Sequence, residues 1–287
     1  MPLREIRSPL RMDTQRNAGR NIVVTGAAGG IGLAITRRLL QDGWHVVATD
    51  INQNALDAAV SAISANLQLQ FFRMNVADRS DVAAAASALS ADGRAIAGLV
   101  NAAGLLQDVT SFLTMDEQQQ QAIWNVNYFG AVTCTQVFGE LMAGAGGGSI
   151  VNITSINEHR PLPLHAYAPT KVALGALTTL TAGELGPAGI RVNAIAPGFT
   201  LTPILKAKIA AGKRDVKTIE SHTALGRLVE PDEIAAVTSF LMSDDASAIT
   251  GASIPVDAGW LATSHWMNFA DLQHGSQSTN PVAGQAD

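Results

Sequence analysis

The chain has one cysteine, Cys134, in 287 residues. A single thiol excludes an internal disulfide framework and a cysteine-based zinc site, so no metal centre is expected. It also fits a reducing compartment, and a cytoplasmic location is the expectation. Apolar runs are short, and none approaches the roughly 20 residues of a membrane-spanning helix. Positive charge is scarce as well: 19 Lys and Arg face 24 Asp and Glu, a net charge of −5. Such a chain offers no basic field to nucleic acid or to an anionic lipid surface. The expected partners are a small molecule and further copies of the chain itself.

The length suffices for a large core, and α/β folds of this size commonly form one domain. Residues 1–20 carry five Arg (Arg4, Arg7, Arg11, Arg16, Arg20) and no long apolar segment. A solvated extension is expected there, not a secretory signal; Glu5 and Asp13 argue against an organelle transit peptide. The domain is read as residues 21–260, followed by a tail, 261–287, which with Trp266 and Phe269 either packs on a neighbouring subunit, packs over an active site or frays.

Ile22-Val23-Val24 is a short apolar run that stops at Thr25-Gly26-Ala27-Ala28-Gly29-Gly30-Ile31-Gly32, after which Leu33, Ile35, Leu39 and Leu40 recur with helical period. Strand, glycine turn and helix in that order make a phosphate-binding loop: glycine lets the backbone approach a pyrophosphate, and the helix N-terminus offers unpaired N–H groups. A second strand, from Trp44, ends at Asp50. A carboxylate at that tip can accept from both hydroxyls of an adenosine ribose and repels a 2′-phosphate, which favours NAD over NADP. The alternative is that Asp50 only caps the next helix. Arg37 and Arg38 lie in the first helix, away from this tip.

The alternation continues with helix 55–64, strand 69–74, helix 79–89 and strand 97–100 running into Asn101-Ala102-Ala103-Gly104. A long helix over 116–142, strand 149–154, a helix opened by Tyr167, and strand 191–195 ending at Pro197-Gly198 follow. This order predicts an α/β fold: a single Rossmann-type, doubly wound parallel sheet with helices on both faces. Ligands bind beyond the carboxyl ends of such strands, where each of these motifs falls.

In Tyr167-Ala168-Pro169-Thr170-Lys171 the phenol and the ammonium lie one helical turn apart on one face. Pro169 is compatible with a first turn, where its missing N–H has no partner in any case. A cation and a helix N-terminus both favour a phenolate, so Tyr167 is expected to titrate below the usual value of about 10 and to exchange a proton with an alcohol or carbonyl.

Taken together, the glycine turn, Asn101-Ala102-Ala103-Gly104, Asn127 in Asn125-Val126-Asn127, Ser155, Tyr167-x-x-x-Lys171, Pro197-Gly198 and the stretch from Gly251 to Gly259 resemble the short-chain dehydrogenase/reductase family. The resemblance implies that Tyr167 is the general acid/base, that Lys171 lowers its pKa and holds the nicotinamide ribose, that Ser155 donates to the substrate oxygen, and that Asn127 holds a relay water. It implies a pyrophosphate turn of Gly26, Gly30, Ile31 and Gly32, with Asp50 on the adenosine ribose and Asn75 and Val76 near the adenine. Asn101, Ala102 and Gly104 would line the cleft, and Pro197, Gly198, Thr200 and Thr202 would hold the nicotinamide end. The implied activity is NAD-dependent interconversion of a secondary alcohol and a ketone; a 3-oxoacyl thioester, a steroid or a cyclic ketone is the alternative substrate. A non-catalytic NAD(H)-binding relative would have lost one of Asn127, Ser155, Tyr167 and Lys171, and all four are present.

Two features depart from the family pattern. The interval from Ser155 to Tyr167 is one residue short, and Thr154 has the usual spacing, although Ser155 fits the strand end better. Asn75-Val76 stands where Asp-Val is common. The loop between Ser155 and Tyr167 opens with Ser-Ile-Asn-Glu, similar to the Ser-Val-His-Glu of bacterial glucose dehydrogenases, a pointer toward sugars or polyols. His159 and His165 in that loop either contact substrate or face water. Lys206, Lys208, Lys213, Arg214 and Lys217 in the stretch 201–222 read as a lid with a solvated charged face; attraction to an acidic or phosphorylated substrate is the alternative. In this family the helices from Asp116 and Tyr167 form a dimer interface within a tetramer, so Val132, Val137, Val172, Leu174, Ala176 and Leu177 predict a homotetramer, though burial within the subunit explains some of them.

Overall fold

Apolar residues without alternation mark a strand covered on both faces, and Ile22, Val23 and Val24 are all fully buried in β1 (Arg20–Thr25). The structure, a computed structural model, describes residues 19–263 except 62, 64–67, 92, 213 and 214. The arginine-rich extension, the tail with Trp266 and Phe269, and the Lys213-Arg214 pair lie outside the described residues.

Around β1 the sheet is built from β2 (His45–Asp50), β3 (Leu69–Arg73), β4 (Ala95–Asn101), β5 (Gly148–Ile153), β6 (Ile190–Pro197) and β7 (Ser253–Val256). Their spatial order is β3-β2-β1-β4-β5-β6-β7, and every pair is parallel. The expected Rossmann-type sheet is therefore present. Chain order reverses between β1 and β4, so a crevice opens at their carboxyl ends.

Alternate residues of the strands feed two cores. Ile22 and Val24 join Ile35 and Leu39 of α1 (Gly30–Gln41), Leu56 of α2 (Gln53–Ser61) and Ile234 and Leu241 of α8 (Pro231–Met242). On the other face Val23 joins Val82 and Leu89 of α3 (Arg79–Ala91), and Cys134, Phe138 and Met142 of α5 (Ala131–Gly144). α6 (Tyr167–Leu185) covers the same face through Ala182 and starts at Tyr167, as the sequence predicts. No helix of the described residues is long and apolar enough to cross a membrane.

Three readings change in detail. The helix expected over 116–142 is interrupted: Asp116 accepts from Gln119 N (2.8 Å) at the start of α4 (Glu117–Trp124), and a π-helical turn, Asn125–Gly130, precedes α5. The wider turn carries Asn127 to a position where it is 1% exposed, a common use of such turns at functional sites. Hydrophobic period alone does not reveal it. The seventh strand, not foreseen, is short and contains Pro255, which an edge strand tolerates because no neighbour needs its missing N–H. Of the residues expected to face a second subunit, Leu174 is instead a core residue, 1% exposed, whereas Val172 is 41% exposed.

Gly130 closes the π-helical turn against Val76: a Cβ there would stand 2.7 Å from Val76 Cγ2. Gly130→Ala should therefore cost about 1–3 kcal/mol of stability by overpacking, read as a lower urea midpoint with unchanged slope; an unchanged midpoint would show that the turn yields freely.

Candidate functional site

One hydroxyl links the two strands that flank the crevice. Thr25, at the end of β1, donates to Val100 O (3.3 Å) and accepts from Ala102 N and Ala103 N (both 3.1 Å), which ties the exit of β4 to that of β1. Gly26, next along, has φ +64°, and a Cβ on it would lie 2.7 Å from Ala103 Cα. Gly32 is equally constrained, since a Cβ there would overlap Gly26 O. Only glycine permits two turns to lean on each other so closely. The N-terminus of α1 thus faces the crevice with its N–H groups, as an anion site requires.

Asp50 ends β2 beside this turn. Its Oδ2 accepts from Ala28 N (3.2 Å) and its Oδ1 from Asn52 N (3.0 Å). The helix that follows is capped by Asn52, whose Oδ1 accepts from Ala55 N (3.1 Å), so Asp50 is not its cap. Arg38 pairs with Asp42 (2.8 Å) on α1, and Arg37 is exposed on the same helix. Asn75 Oδ1 accepts from Ala77 N (3.1 Å) within its own loop, and Val76 is buried against Gly130. Beneath the crevice Asn101 Nδ2 donates to Asn152 Oδ1 (2.8 Å) and Thr135 Oγ1 (3.2 Å), while Asn101 Oδ1 is buried without a partner.

On the other side of the crevice stand Tyr167, Lys171 and Ser155. Lys171 is 5% exposed; its Nζ donates to Ile153 O at 2.8 Å and lies 5.5 Å from the centre of the Tyr167 ring. Thr154 and Ser155, the two candidates left open by spacing, differ in their partners: Thr154 Oγ1 donates to Ile195 O (2.9 Å) in the sheet, whereas the Ser155 hydroxyl bonds the Tyr167 phenol. Ser155 Oγ also accepts from Asn157 N (3.2 Å) and Asn157 Nδ2 (3.0 Å), which leaves its own proton for the phenol oxygen. Asn157 was not singled out from the sequence; its position two residues after Ser155 at a strand exit was the available signal. Asn127 Oδ1 accepts from Leu105 N (2.7 Å) and Nδ2 donates to Leu105 O (3.0 Å). Its amide thus holds the loop after Gly104 in both directions.

The loop after β6 returns to the glycine turn. Thr200 Oγ1 donates to Gly198 O (3.0 Å), and Thr202 caps α7 (Pro203–Ala210) by accepting from Leu205 N (3.3 Å). Thr202 and Pro203 lie over Gly30, where a Cβ would meet Pro203 Cδ at 2.7 Å and Thr202 Cβ at 3.0 Å. Lys208 of α7 bridges to Asp108 (2.7 Å) in the loop after β4. His165 stacks edge-on with Phe112 (5.2 Å), and His159 faces Ser253 of β7 (3.3 Å).

One electrostatic expectation is overturned. Burial pushes Tyr167 up to about 12, although the Ser155 hydrogen bond pulls it down. Burial also pushes Lys171 down to about 8, against the field of Glu158, which raises it. Desolvation disfavours both charged forms, and it outweighs the attraction inferred from spacing alone.

Between about pH 8 and 10.5 the unfolded chain binds a proton at Lys171 more readily than the folded chain does, so stability rises with pH across that window. Tyr167 acts oppositely from about 10 to 12, where the folded form retains its proton. Lys171→Met should abolish the rise in urea-unfolding stability above pH 8 and keep the fall above pH 10; a persistent rise would mean that another group causes it.

The residues fit a nicotinamide dinucleotide: a glycine cradle at a helix N-terminus, a carboxylate at the β2 tip, and an unsatisfied amide oxygen under the cleft. Residues 26–261 match the family described as enoyl-(acyl carrier protein) reductase. The 3-oxoacyl-(acyl-carrier-protein) reductase FabG of Thermotoga maritima is 36% identical, over 85% of this chain and 98% of its own. Galactitol 2-dehydrogenase (L-tagatose-forming) of Cereibacter sphaeroides is 34% identical, over 89% and 98%. The structure of ElxO with NADP bound superposes with a TM-score of 0.80 at 27% identity, covering 85% of this chain and 99% of that one. The matching fold, glycine turn and Tyr-x-x-x-Lys helix have one reading: the chain belongs to the short-chain dehydrogenase/reductase family of oxidoreductases, which act on alcohols and ketones with a nicotinamide cofactor.

Proposed function

We propose that the chain is an NAD-dependent oxidoreductase that interconverts a secondary alcohol and a ketone, with Tyr167 as general acid/base. The observation that carries this reading is the buried Lys171 ammonium, 5.5 Å from the Tyr167 ring, with Ser155 on the phenol. In oxidation the alcohol proton passes to the Tyr167 oxygen, and in reduction the phenol returns it. Ser155, oriented by Asn157, donates to the substrate oxygen; Asn127 fixes the loop beside it and is assigned the relay water. The bound nicotinamide supplies the hydride chemistry. Gly26, Gly30, Ile31 and Gly32 take the pyrophosphate, Asn75 and Val76 flank the adenine, Asn101, Ala102 and Gly104 line the cleft, and Pro197, Gly198, Thr200 and Thr202 take the nicotinamide end. NAD preference is supported by Asp50, which is relieved of helix capping by Asn52 and stands beside the turn.

A sugar or polyol is the substrate class favoured by the Ser-Ile-Asn-Glu loop and by the similarity to the galactitol enzyme. A specific observation supports a second reading, a 3-oxoacyl thioester or cyclic ketone. Leu105 and Leu106 beside Asn127 are 41% and 55% exposed, and Ile204 is 59% exposed one turn before Lys208, on the α7 face tied to Asp108. These side chains give the mouth an apolar rim, which suits an apolar substrate better than one that needs many hydrogen bonds. A homotetramer in the cytoplasm completes the proposal; the self-association is supported by exposed Phe129, Val172 and Leu180 on the α4–α6 side, and the location by the single cysteine.

A panel of galactitol, threitol, cyclohexanone and acetoacetyl thioester, followed by NADH and NADPH absorbance, tests the reading. Turnover should be at least tenfold faster with NAD(H), and Tyr167→Phe should lower it by a factor of about 10²–10⁴ while cofactor affinity stays within twofold. Unchanged turnover in Tyr167→Phe would reject the role. Light scattering should give a tetramer, and a monomer would remove that part of the proposal.

A further inference from the structure

The four N–H groups at the start of an α-helix have no acceptor within the helix. In α6 they belong to Ala166, Tyr167, Ala168 and Pro169. Pro169 has none to place, and Ala168 N donates to Leu164 O at 2.8 Å. The remaining two converge on one atom: Ala166 N and Tyr167 N donate to Gln107 Oε1 at 2.8 and 3.1 Å. Gln107 comes from the loop after β4, some 60 positions away in the chain. It is 5% exposed, and its Nε2 faces Met115 Sδ at 3.6 Å, so the oxygen end of the amide is set toward the helix.

Helix N-termini are ordinarily satisfied by a side chain within the same segment, and an acidic group is favoured there. Here the acceptor is distant and uncharged. The distinction matters beside Tyr167, because a carboxylate at this point would oppose the phenolate that takes the alcohol proton. An amide oxygen satisfies both N–H groups and adds no charge that would oppose the phenolate further.

We propose that Gln107 is a positioning residue for the reaction: it clamps the first turn of α6, so that Tyr167 keeps its place between Lys171 and Ser155, and it does so without adding negative charge. The inference rests on Tyr167 being the acid/base of the proposed function, and Tyr167→Phe in the same assay keeps the two separable.

The test uses the full-length protein with the panel member that wild type turns over fastest, NAD+, and hydrogen exchange of the peptide spanning Ala166 and Tyr167. Gln107→Leu should lower kcat tenfold or more, leave KM for NAD+ within twofold, and speed exchange at those two amides. Gln107→Glu supplies the acceptor again. It should restore slow exchange and recover kcat at high pH, with the acidic limb of the oxidation profile moved upward by about half a pH unit or more. Wild-type kcat in Gln107→Leu would overturn the proposal, as would equal losses in both variants with the limb unmoved, since that pattern marks general damage. If Gln107→Leu does not fold, the limb in Gln107→Glu decides alone. A large loss in Tyr167→Phe beside unaffected Gln107 variants would sink this inference only; a wild type inactive on the whole panel would sink both.

Discussion

A lysine ammonium enclosed by protein is costly unless it finds a hydrogen-bond acceptor, and the arrangement of the site follows from how Lys171 finds one. Its acceptor is Ile153 O, 2.8 Å away, at the last residue of β5. That bond fixes α6 to the carboxyl end of the sheet, and helical spacing then places Tyr167 one turn back, over the crevice. Ser155, two residues beyond Ile153, meets the phenol from the strand side. Gly175, one turn past Lys171, has no room for a Cβ because Glu158 lies against it, so the carboxylate whose field opposes the downward push on the lysine sits one turn further along α6, on the side of Lys171 away from Tyr167.

The crevice has its own polar underpinning. Thr25 links the exits of β1 and β4, and Asn101, Asn152, Thr135 and Thr178 form a buried chain of hydrogen bonds between β4, β5, α5 and α6. Buried polar groups rigidify a site when satisfied. The Asn101 oxygen is the exception in this chain: it is buried with no hydrogen-bond partner.

Much of this was legible from local pattern. The glycine turn, the tip of β2 and the Tyr167–Lys171 turn depend on residues close in sequence, and each appears where its spacing placed it. Less legible were features set by contacts between distant segments. Gln107 reaches α6 from another loop, Asn157 is recognisable only once Ser155 is placed beside Tyr167, and the π-helical turn around Asn127 leaves the hydrophobic pattern intact. The direction of the Tyr167 shift was misread for the same reason: spacing reports a neighbouring cation but not the depth at which both groups are buried.

The segment after β6 rests on Gly30 through Thr202 and Pro203 and reaches the opposite wall through Lys208 and Asp108. One anchor is steric and the other ionic, so they respond to different agents: added salt weakens the second and leaves the first intact. The rate at which molecules enter and leave the cleft should accordingly depend on ionic strength, even though none of the groups assigned to proton transfer lies in that bridge.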